Sequence, residues 1–229
     1  MPLLRTLLSP TFHGVRRALE WVGEITPGTR AAGRFGSFGE ASLIGFPQAT
    51  IMGERSIHIG RETLIGRQCT LTVGYGPDAP VLPEYGLIIG DRCVVGAFST
   101  LTAHEGIEVG DDVWFGQGVF VSDASHGYQD PDEPIGQQMG AHQPVSIGSG
   151  SWIGHRAMIL PGSRIGRNVV VGAGSVVRGE IPDHAVVAGI PARVLRTFEP
   201  GVGWVNGSGD IRPILTTEEL LRRLTAGTP

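Results

Sequence analysis

The chain has 229 residues, of which 36 are glycine and 41% are hydrophobic, and its formal net charge is −4 at pH 7. The hydrophobic share is large enough to form a core, which excludes a disordered chain, and the lack of a Gly-X-Y period excludes collagen. The acidic charge gives no broad attraction to nucleic acid or anionic lipid, and no apolar stretch is long enough to be a transmembrane segment.

The N-terminal region, residues 1–37, is predicted to contain a helix over about residues 10–23. Ser9 followed by Pro10 is typical of an N-cap and first helical position. Apolar residues recur at helical spacing at Leu8, Phe12, Val15, Leu19 and Val22. We expect this helix to cap the open end of the fold that follows, and a membrane or partner contact is the alternative. The segment lacks the pattern of a signal peptide.

A six-residue period organises residues 38–197. A large apolar residue followed by glycine recurs at Ile59, Ile65, Ile89, Val95, Val109, Phe115, Ile147, Ile153, Ile165 and Val171. A small or medium-sized residue lies four positions after most of these, for example Thr63, Cys69, Ser99 and Ser151. Six is the period of neither a helix nor a strand. The pattern predicts a coil with three flat sides, in which the large residues fill the interior and glycine-containing corners separate short strands.

This pattern resembles the hexapeptide-repeat acyltransferases. The resemblance implies an all-β solenoid, a left-handed parallel β-helix, whose handedness departs from the usual right-handed crossover. It also implies a homotrimer with active sites at the subunit interfaces. The two cysteines, Cys69 and Cys93, form no disulfide framework and fall on inward positions, so we expect buried, inert thiols and a reducing, cytoplasmic location.

Three interruptions of the period are candidate functional segments, because loops of a regular solenoid usually carry its function. They are a Pro/Gly-rich insertion at residues 74–86, two extra residues between Leu101 and Val109, and a long loop at residues 122–146. His104 and Glu105 lie in the second interruption, where the resemblance implies residues that bind the acceptor. A role in stabilising this bulge is the alternative.

His126 is the predicted general base, since a neutral imidazole can take a proton from a hydroxyl group. It lies in the pattern D-x-x-H-x-Y-x-D-P that begins at Asp123, which resembles the branch that modifies polysaccharide and glycolipid sugars. Asp123 is the first choice for the carboxylate that orients His126, with Asp130 and Glu105 as alternatives. Tyr128 and Asp130 are expected to contact the acceptor.

The segment from Ser151 to Arg196 resembles the family's coenzyme A groove. The resemblance assigns donor binding to Trp152, Gly154, His155, Ala173, Arg178, Arg193 and Arg196, with the arginines on the nucleotide phosphates. Acyl-CoA is then a co-substrate, and we expect no permanently bound cofactor and no metal.

The C-terminal residues 198–229 are predicted to form a Gly/Pro-rich linker and a short helix, with Thr216 and Glu219 as a capping box. The whole pattern predicts transfer of an acetyl or medium-chain acyl group from acyl-CoA to a hydroxyl of a sugar, glycan or glycolipid precursor. N-acylation of an amino sugar and a catalytically silent trimeric scaffold remain alternatives. A zinc-dependent carbonic anhydrase is disfavoured, because no histidine pair has the HxxxxH spacing of that family.

Overall fold

The computed structural model of the chain describes residues 2–76 and 83–225, with side chains described from residue 8 onward. Residues 77–82 of the predicted 74–86 insertion therefore lie outside the described residues. Two helices flank the solenoid, α1 (Pro2–Gly23) and α2 (Thr217–Thr225). Short 3-10 turns occur at Ala32–Arg34, Glu54–Ser56 and Ile135–Gln137.

The solenoid is a left-handed parallel β-helix with three flat faces, as predicted. The first face consists of Ser37–Phe38, Ile57–Ile59, Leu87–Ile89, Ile107–Val109, Val145–Ile147, Arg164–Ile165 and Glu180–Ile181. The second face begins with Leu43–Ile44, Leu64–Ile65, Val94–Val95, Trp114–Phe115, Trp152–Ile153, Val170–Val171 and Ala185–Gly189. The third face consists of Thr50–Met52, Thr70–Val73, Thr100–Ala103, Phe120–Ser122, Met158–Ile159 and Val176–Val177.

The six-residue period predicts the core correctly. The large residue that precedes each glycine is buried at every one of the ten positions, and so are the small residues four positions later. Parallel pairing aligns equivalent positions on successive coils, as in the pair of Ile147 with Ile165. Aliphatic side chains therefore stack in continuous ladders inside the prism, where burial of apolar surface stabilises each coil against the next.

The corners show why the repeated glycine is needed. A Cβ on Gly66 would lie 2.6 Å from the backbone nitrogen of Ala97 on the next coil, which is closer than real Cβ contacts. The left-handed backbone occurs two residues after the repeated glycine, for example at Arg92 with φ 54° and at Gly150 with φ 74°. Close approach between coils selects glycine at one position, and backbone conformation favours it at another.

The N-terminal helix is longer than predicted and does not cap the solenoid. It extends from Pro2 to Gly23, with Pro10 in its interior rather than at its start. The end of the prism is covered instead by a segment with three buried side chains, Ile25, Ala32 and Phe35. Since the backbone of Ile25 pairs with that of Ile44, this segment is joined to the first coil.

The region after residue 197 is not the predicted linker. Strand Ala192–Glu199 turns back on Ala185–Gly189, and Gly203–Asn206 and Ile211–Arg212 follow, so that an antiparallel meander extends the second face. The predicted capping box is present at α2, because Glu219 donates its N–H to Thr216 Oγ1 at 3.2 Å and accepts the N–H of Thr216 at 2.7 Å. Neither described helix is long and apolar enough to cross a bilayer.

Candidate functional site

A cavity of about 490 Å³ lies where the third face ends, beneath the loop of residues 122–146. Its floor is formed by Thr72, Thr102 and Ser122, which occupy paired positions on three successive coils. Thr72 Oγ1 donates to Thr102 Oγ1 at 3.1 Å, so the floor is polar and ordered. Since inward-facing leucine and valine alternate with these residues, strand geometry turns their hydroxyl groups away from the prism core.

The histidines of two separate interruptions meet at this cavity. His104 comes from the two-residue bulge, and His126 and His142 come from the long loop. The rings of His104 and His142 stack at a centroid distance of 5.1 Å and an interplanar angle of 11°. The hydroxyl of Tyr75 contacts His142 Nε2, and its ring lies edge-on to His104 at 4.6 Å. Tyr75 therefore joins the start of the 74–86 insertion to the long loop across the cavity.

Asp123 is fully buried directly behind this cavity. Its carboxylate accepts the backbone N–H groups of three consecutive residues, His104 at 2.9 Å, Glu105 at 2.8 Å and Gly106 at 2.7 Å. A buried charge needs such partners, and hydrogen bonds to an ionised acceptor are the strong ones. The carboxylate thus holds the two-residue bulge in shape, and its Oδ1 lies 3.5 Å from His104 Nδ1.

The structure corrects the prediction that Asp123 orients His126. Both carboxylate oxygens face the bulge that carries His104, because the chain buries Asp123 and then turns outward. His126 is exposed, lines the cavity, and pairs through its backbone with Met139 on the returning arm of the loop. The buried carboxylate and the predicted base are therefore in the same region, but the carboxylate supports the other histidine.

Three predicted acceptor residues are not brought to the cavity. The Glu105 side chain is exposed, and the described hydrogen bond of this residue is made by its backbone N–H. Tyr128 is 77% exposed and lies outside the cavity lining. Asp130 Oδ1 accepts the N–H of Asp132 at 2.9 Å, which shapes the loop tip.

Sequence reasoning missed Tyr75, His142 and the threonine floor. The sequence did contain a signal for the floor, because Thr72 and Thr102 each follow a leucine at an inward-facing position of the repeat. Tyr75 and His142 had no such signal, because they lie in insertions without a period. Their importance follows from the contact between the two insertions, which is a tertiary feature.

A second cavity of about 340 Å³ adjoins the first and shares Ala124 and Ser125 with it. Its walls are largely apolar, with Phe120, Leu160 and Pro161, and Arg178 lies at its edge. Only the short segment that leads to His126 separates the two cavities. Two adjoining cavities suit two reactants that meet near His126.

The predicted donor-binding residues are divided between two corners of the prism. Gly154, His155 and Ala173 lie between the second and third faces, where a Cβ on Gly154 would be 2.5 Å from the nitrogen of Ala173. His155 Nδ1 accepts the N–H of Gln117 at 2.8 Å. Arg178 lies at the corner between the third and first faces, beside the second cavity. A single chain does not bring these residues together.

The remaining predicted donor residues lie on the second face. Trp152 is half exposed and pairs in register with Trp114 on the previous coil. Arg193 is exposed, whereas Arg196 donates to the carbonyls of Trp204 at 3.1 Å and Asp210 at 3.0 Å. The Arg196 guanidinium is thus engaged in holding the C-terminal meander, which argues against the predicted direct contact with phosphate.

Both thiols lie in the core, and burial raises the pKa of Cys69 and of Cys93. A thiol with a raised pKa carries little thiolate at neutral pH and is a poor nucleophile. Among residues 2–76 and 83–225, no group of three or more histidine, cysteine or carboxylate side chains is arranged to hold a metal ion.

Comparison with known proteins identifies the family. Residues 144–179 match the model described as bacterial transferase hexapeptide (six repeats), and residues 86–123 match the hexapeptide repeat of succinyl-transferase. The putative lipopolysaccharide biosynthesis O-acetyl transferase WbbJ of Escherichia coli is 30% identical over 163 residues, which cover 68% of this chain and 79% of that protein. The chain belongs to the hexapeptide-repeat acyltransferase family.

Other members of the family agree with this assignment. The galactoside O-acetyltransferase of Escherichia coli is 34% identical over 140 residues, 59% of this chain and 68% of that enzyme. The probable acetyltransferase Rv3034c of Mycobacterium tuberculosis is also 34% identical over 140 residues, but the match spans only 44% of that protein. A crystal structure of a mutant of AntD, an N-acyltransferase from Bacillus cereus in complex with dTDP and coenzyme A, has a TM-score of 0.65 at 21% identity and covers 90% of this chain and 98% of that chain. This likeness concerns the fold.

Proposed function

We propose that the protein is an acyl-CoA-dependent O-acyltransferase that acts on a hydroxyl group of a sugar, glycan or glycolipid precursor. The observation that carries the proposal is the polar cavity into which His104 and His126 both open, at the interruptions of the solenoid. The names of the relatives support sugar acceptors, since two of them are O-acetyltransferases of lipopolysaccharide biosynthesis and of galactosides.

His126 is the proposed general base of a direct transfer between two bound substrates. Its imidazole takes the proton of the acceptor hydroxyl while the oxygen forms a bond to the thioester carbonyl carbon. The C–S bond then breaks, and the CoA thiolate leaves and receives the proton from the imidazolium. Backbone N–H groups near the loop stabilise the developing oxyanion. The proposed transfer has no thiol intermediate, because both cysteines are buried and cannot reach a substrate.

His104 and Asp123 have the proposed role of positioning the acceptor. Since Asp123 lies on the Nδ1 side of the His104 ring, the Nε2 edge is directed away from the carboxylate. Because His104 lines the cavity, its Nε2 atom can form a hydrogen bond with an acceptor hydroxyl and hold it near His126. Asp123 thereby acts through His104 rather than through the base.

The donor is proposed to lie between two subunits of a homotrimer. The division of the donor residues between two corners supports this arrangement, because one subunit would supply Arg178 and the apolar cavity. Its neighbour would supply Trp152, Gly154, His155 and Ala173. Arg193, like Arg178, is exposed and available to the phosphates, and Arg196 supports Arg193 indirectly through the meander. Acyl-CoA is a co-substrate in this proposal, and the location is cytoplasmic.

The charge of the cavity favours a hydroxyl over an amine acceptor. An amino sugar carries an ammonium group in water, and a carboxylate would be expected to receive it. None of the described residues that line the cavity is aspartate or glutamate, and Asp123 has its oxygens occupied by backbone donors. The lining therefore supports O-acylation, with N-acylation as the second candidate.

The first test is the variant His126→Asn, assayed with acetyl-CoA and a galactoside acceptor. Loss of the base is expected to lower kcat by about 10²-fold or more, while the melting temperature stays the same because the ring is exposed. His13→Asn on α1 is the matched control, and it should retain full activity. Undiminished transfer by His126→Asn would contradict the assignment of the base.

A further inference from the structure

Helix α1 presents an apolar stripe that nothing in the described chain covers. The stripe consists of Leu8, Phe12, Val15, Leu19 and Val22, which are 55% to 73% exposed. None of the side chains described on α1 belongs to the buried core. The helix is attached at its C-terminal end, where Gln48 Nε2 donates to the carbonyl of Gly23 at 3.1 Å. Large contiguous apolar surfaces of this kind mark interaction sites.

Helix α1 is basic, although the molecule as a whole is acidic. The helix contains Arg5, Arg16 and Arg17 against the single acidic residue Glu20, which gives it a net charge of +2, whereas the whole chain carries −4. Trp21 is 77% exposed and lies one turn from Arg17, on the side of the helix away from the apolar stripe. A basic helix with an exposed stripe of phenylalanine, leucine and valine is typical of helices that lie at a lipid–water interface.

A second copy of the helix is a weaker match to this surface. The stripe follows a 4-3-4-3 spacing, but only over about two heptads, and a stable coiled coil needs about three or four. The positions that flank the stripe are Ser9, Thr11, Arg16 and Ala18. These residues provide no opposite charges for interhelical pairs, and symmetry would place the Arg16 side chains near one another.

We propose that α1 binds an anionic lipid surface and lies in its plane, with the apolar stripe submerged and with Arg16 and Arg17 near the headgroups. The helix is about 33 Å long at 1.5 Å per residue, which gives an extended contact without crossing the bilayer. Charge complementarity selects anionic over zwitterionic lipid, because this helix carries a net charge of +2.

The test is sedimentation of the full chain with phosphatidylcholine vesicles that do or do not contain phosphatidylglycerol. We expect the chain to pellet with the anionic vesicles, to bind the zwitterionic ones much less, and to be released by high salt. The double variant Phe12→Glu/Leu19→Glu should bind about a hundredfold more weakly, since two submerged side chains become charged. Arg17→Glu should weaken binding to the anionic vesicles only.

The matched control places the same change on the other exposed helix. Leu220→Glu/Leu224→Glu alters two exposed leucines of α2, whose two glutamates and two arginines leave it neutral, and vesicle binding should persist. Melting temperatures of all variants verify folding. Absence of binding to anionic vesicles, or equal binding by the α1 double variant, would overturn the proposal. A smaller assembly mass of the α1 double variant in the absence of lipid, with an unchanged mass of the α2 variant, would also overturn it. That result would show that a second copy of the chain covers the stripe.

Discussion

At the scale of single residues, the bulge that carries His104 depends on one buried side chain. Asp123 satisfies three consecutive backbone donors that would otherwise be buried without partners. It also lies against the His104 ring, so the shape of the bulge and the position of the ring have a common cause. The pattern D-x-x-H indicated that this aspartate matters, but the pattern did not indicate which histidine it serves.

The variant Asp123→Asn tests this role. An amide offers one acceptor oxygen and turns its NH₂ toward the backbone donors, so the free energy of unfolding should fall by about 2 kcal/mol. The KM for the acceptor should rise more than kcat falls, because His104 loses its position while His126 remains. Chemical denaturation and steady-state kinetics measure the two effects. Asp132→Asn at the exposed loop tip is the control, and equal behaviour of the two variants would contradict the role of Asp123.

At the scale of elements, close stacking of the coils limits what each corner accepts. Gly66 lies against the backbone at Ala97, and the same kind of approach recurs at Gly90 and Gly148. Side chains add a second link between coils, since Asp91 accepts the N–H of Arg61 at 2.8 Å and Asp183 accepts the N–H of Arg167 at 2.9 Å. The corners are therefore structural joints rather than flexible turns.

The variant Gly66→Ala should destabilise the solenoid. The added Cβ would lie 2.6 Å from the backbone nitrogen of Ala97 in the corner of the next coil, so the two coils must move apart to make room for it. Overpacking of this kind costs about 2 kcal/mol. Gly207→Ala has no atom within 4 Å of the new Cβ and should leave the melting temperature unchanged or slightly higher. A wild-type melting temperature for Gly66→Ala would show that the coils have room to separate.

The carboxylates at the corners predict a loss of stability in acid. The N–H of Arg61 lowers the pKa of Asp91, and the N–H of Arg167 lowers the pKa of Asp183. A group whose pKa is lower in the folded state stabilises the protein above its unfolded pKa of about 3.9, and this contribution is lost as the pH falls through the folded value. The melting temperature should therefore drop between about pH 5 and pH 2.

A comparison of variants isolates the contribution of the corners. The melting temperature of Asp91→Asn/Asp183→Asn should depend less on pH in the acid range than that of the wild type. Asp132→Asn, which removes an exposed carboxylate at the loop tip, is the control. If the double variant and the wild type have parallel acid profiles, these two carboxylates do not stabilise the solenoid.

The period of six made the solenoid predictable, whereas the loops were not. Every large and small residue of the repeat lies inside the prism, because neighbouring coils impose the same packing at each step. The contact of Tyr75 with His142 joins two insertions that have no period, and it depends on their tertiary arrangement. The start of α1 was predicted wrongly for a local reason, because Pro10 lies inside the helix although proline is typical of the first helical position.

At the scale of the whole molecule, the two predicted halves of the site are on different corners of the chain. The acceptor cavity with His126 adjoins Arg178, while His155 and Ala173 lie at another corner. In the proposed trimer, the corner of one subunit that carries Arg178 lies next to the corner of its neighbour that carries His155 and Ala173. The family assignment implied this assembly, and the split of the donor residues gives it a structural reason.

The most direct test of the central claim is the identity of the product formed from acetyl-CoA and a neutral galactoside. Mass spectrometry should show an acceptor heavier by one acetyl group, in an amount equal to the free CoA released. Hydroxylamine should remove the acetyl group, because it cleaves an oxygen ester but does not cleave an amide. Transfer of acetyl only to an amino sugar, as a product stable to hydroxylamine, would contradict the account, and so would the absence of any CoA-dependent product.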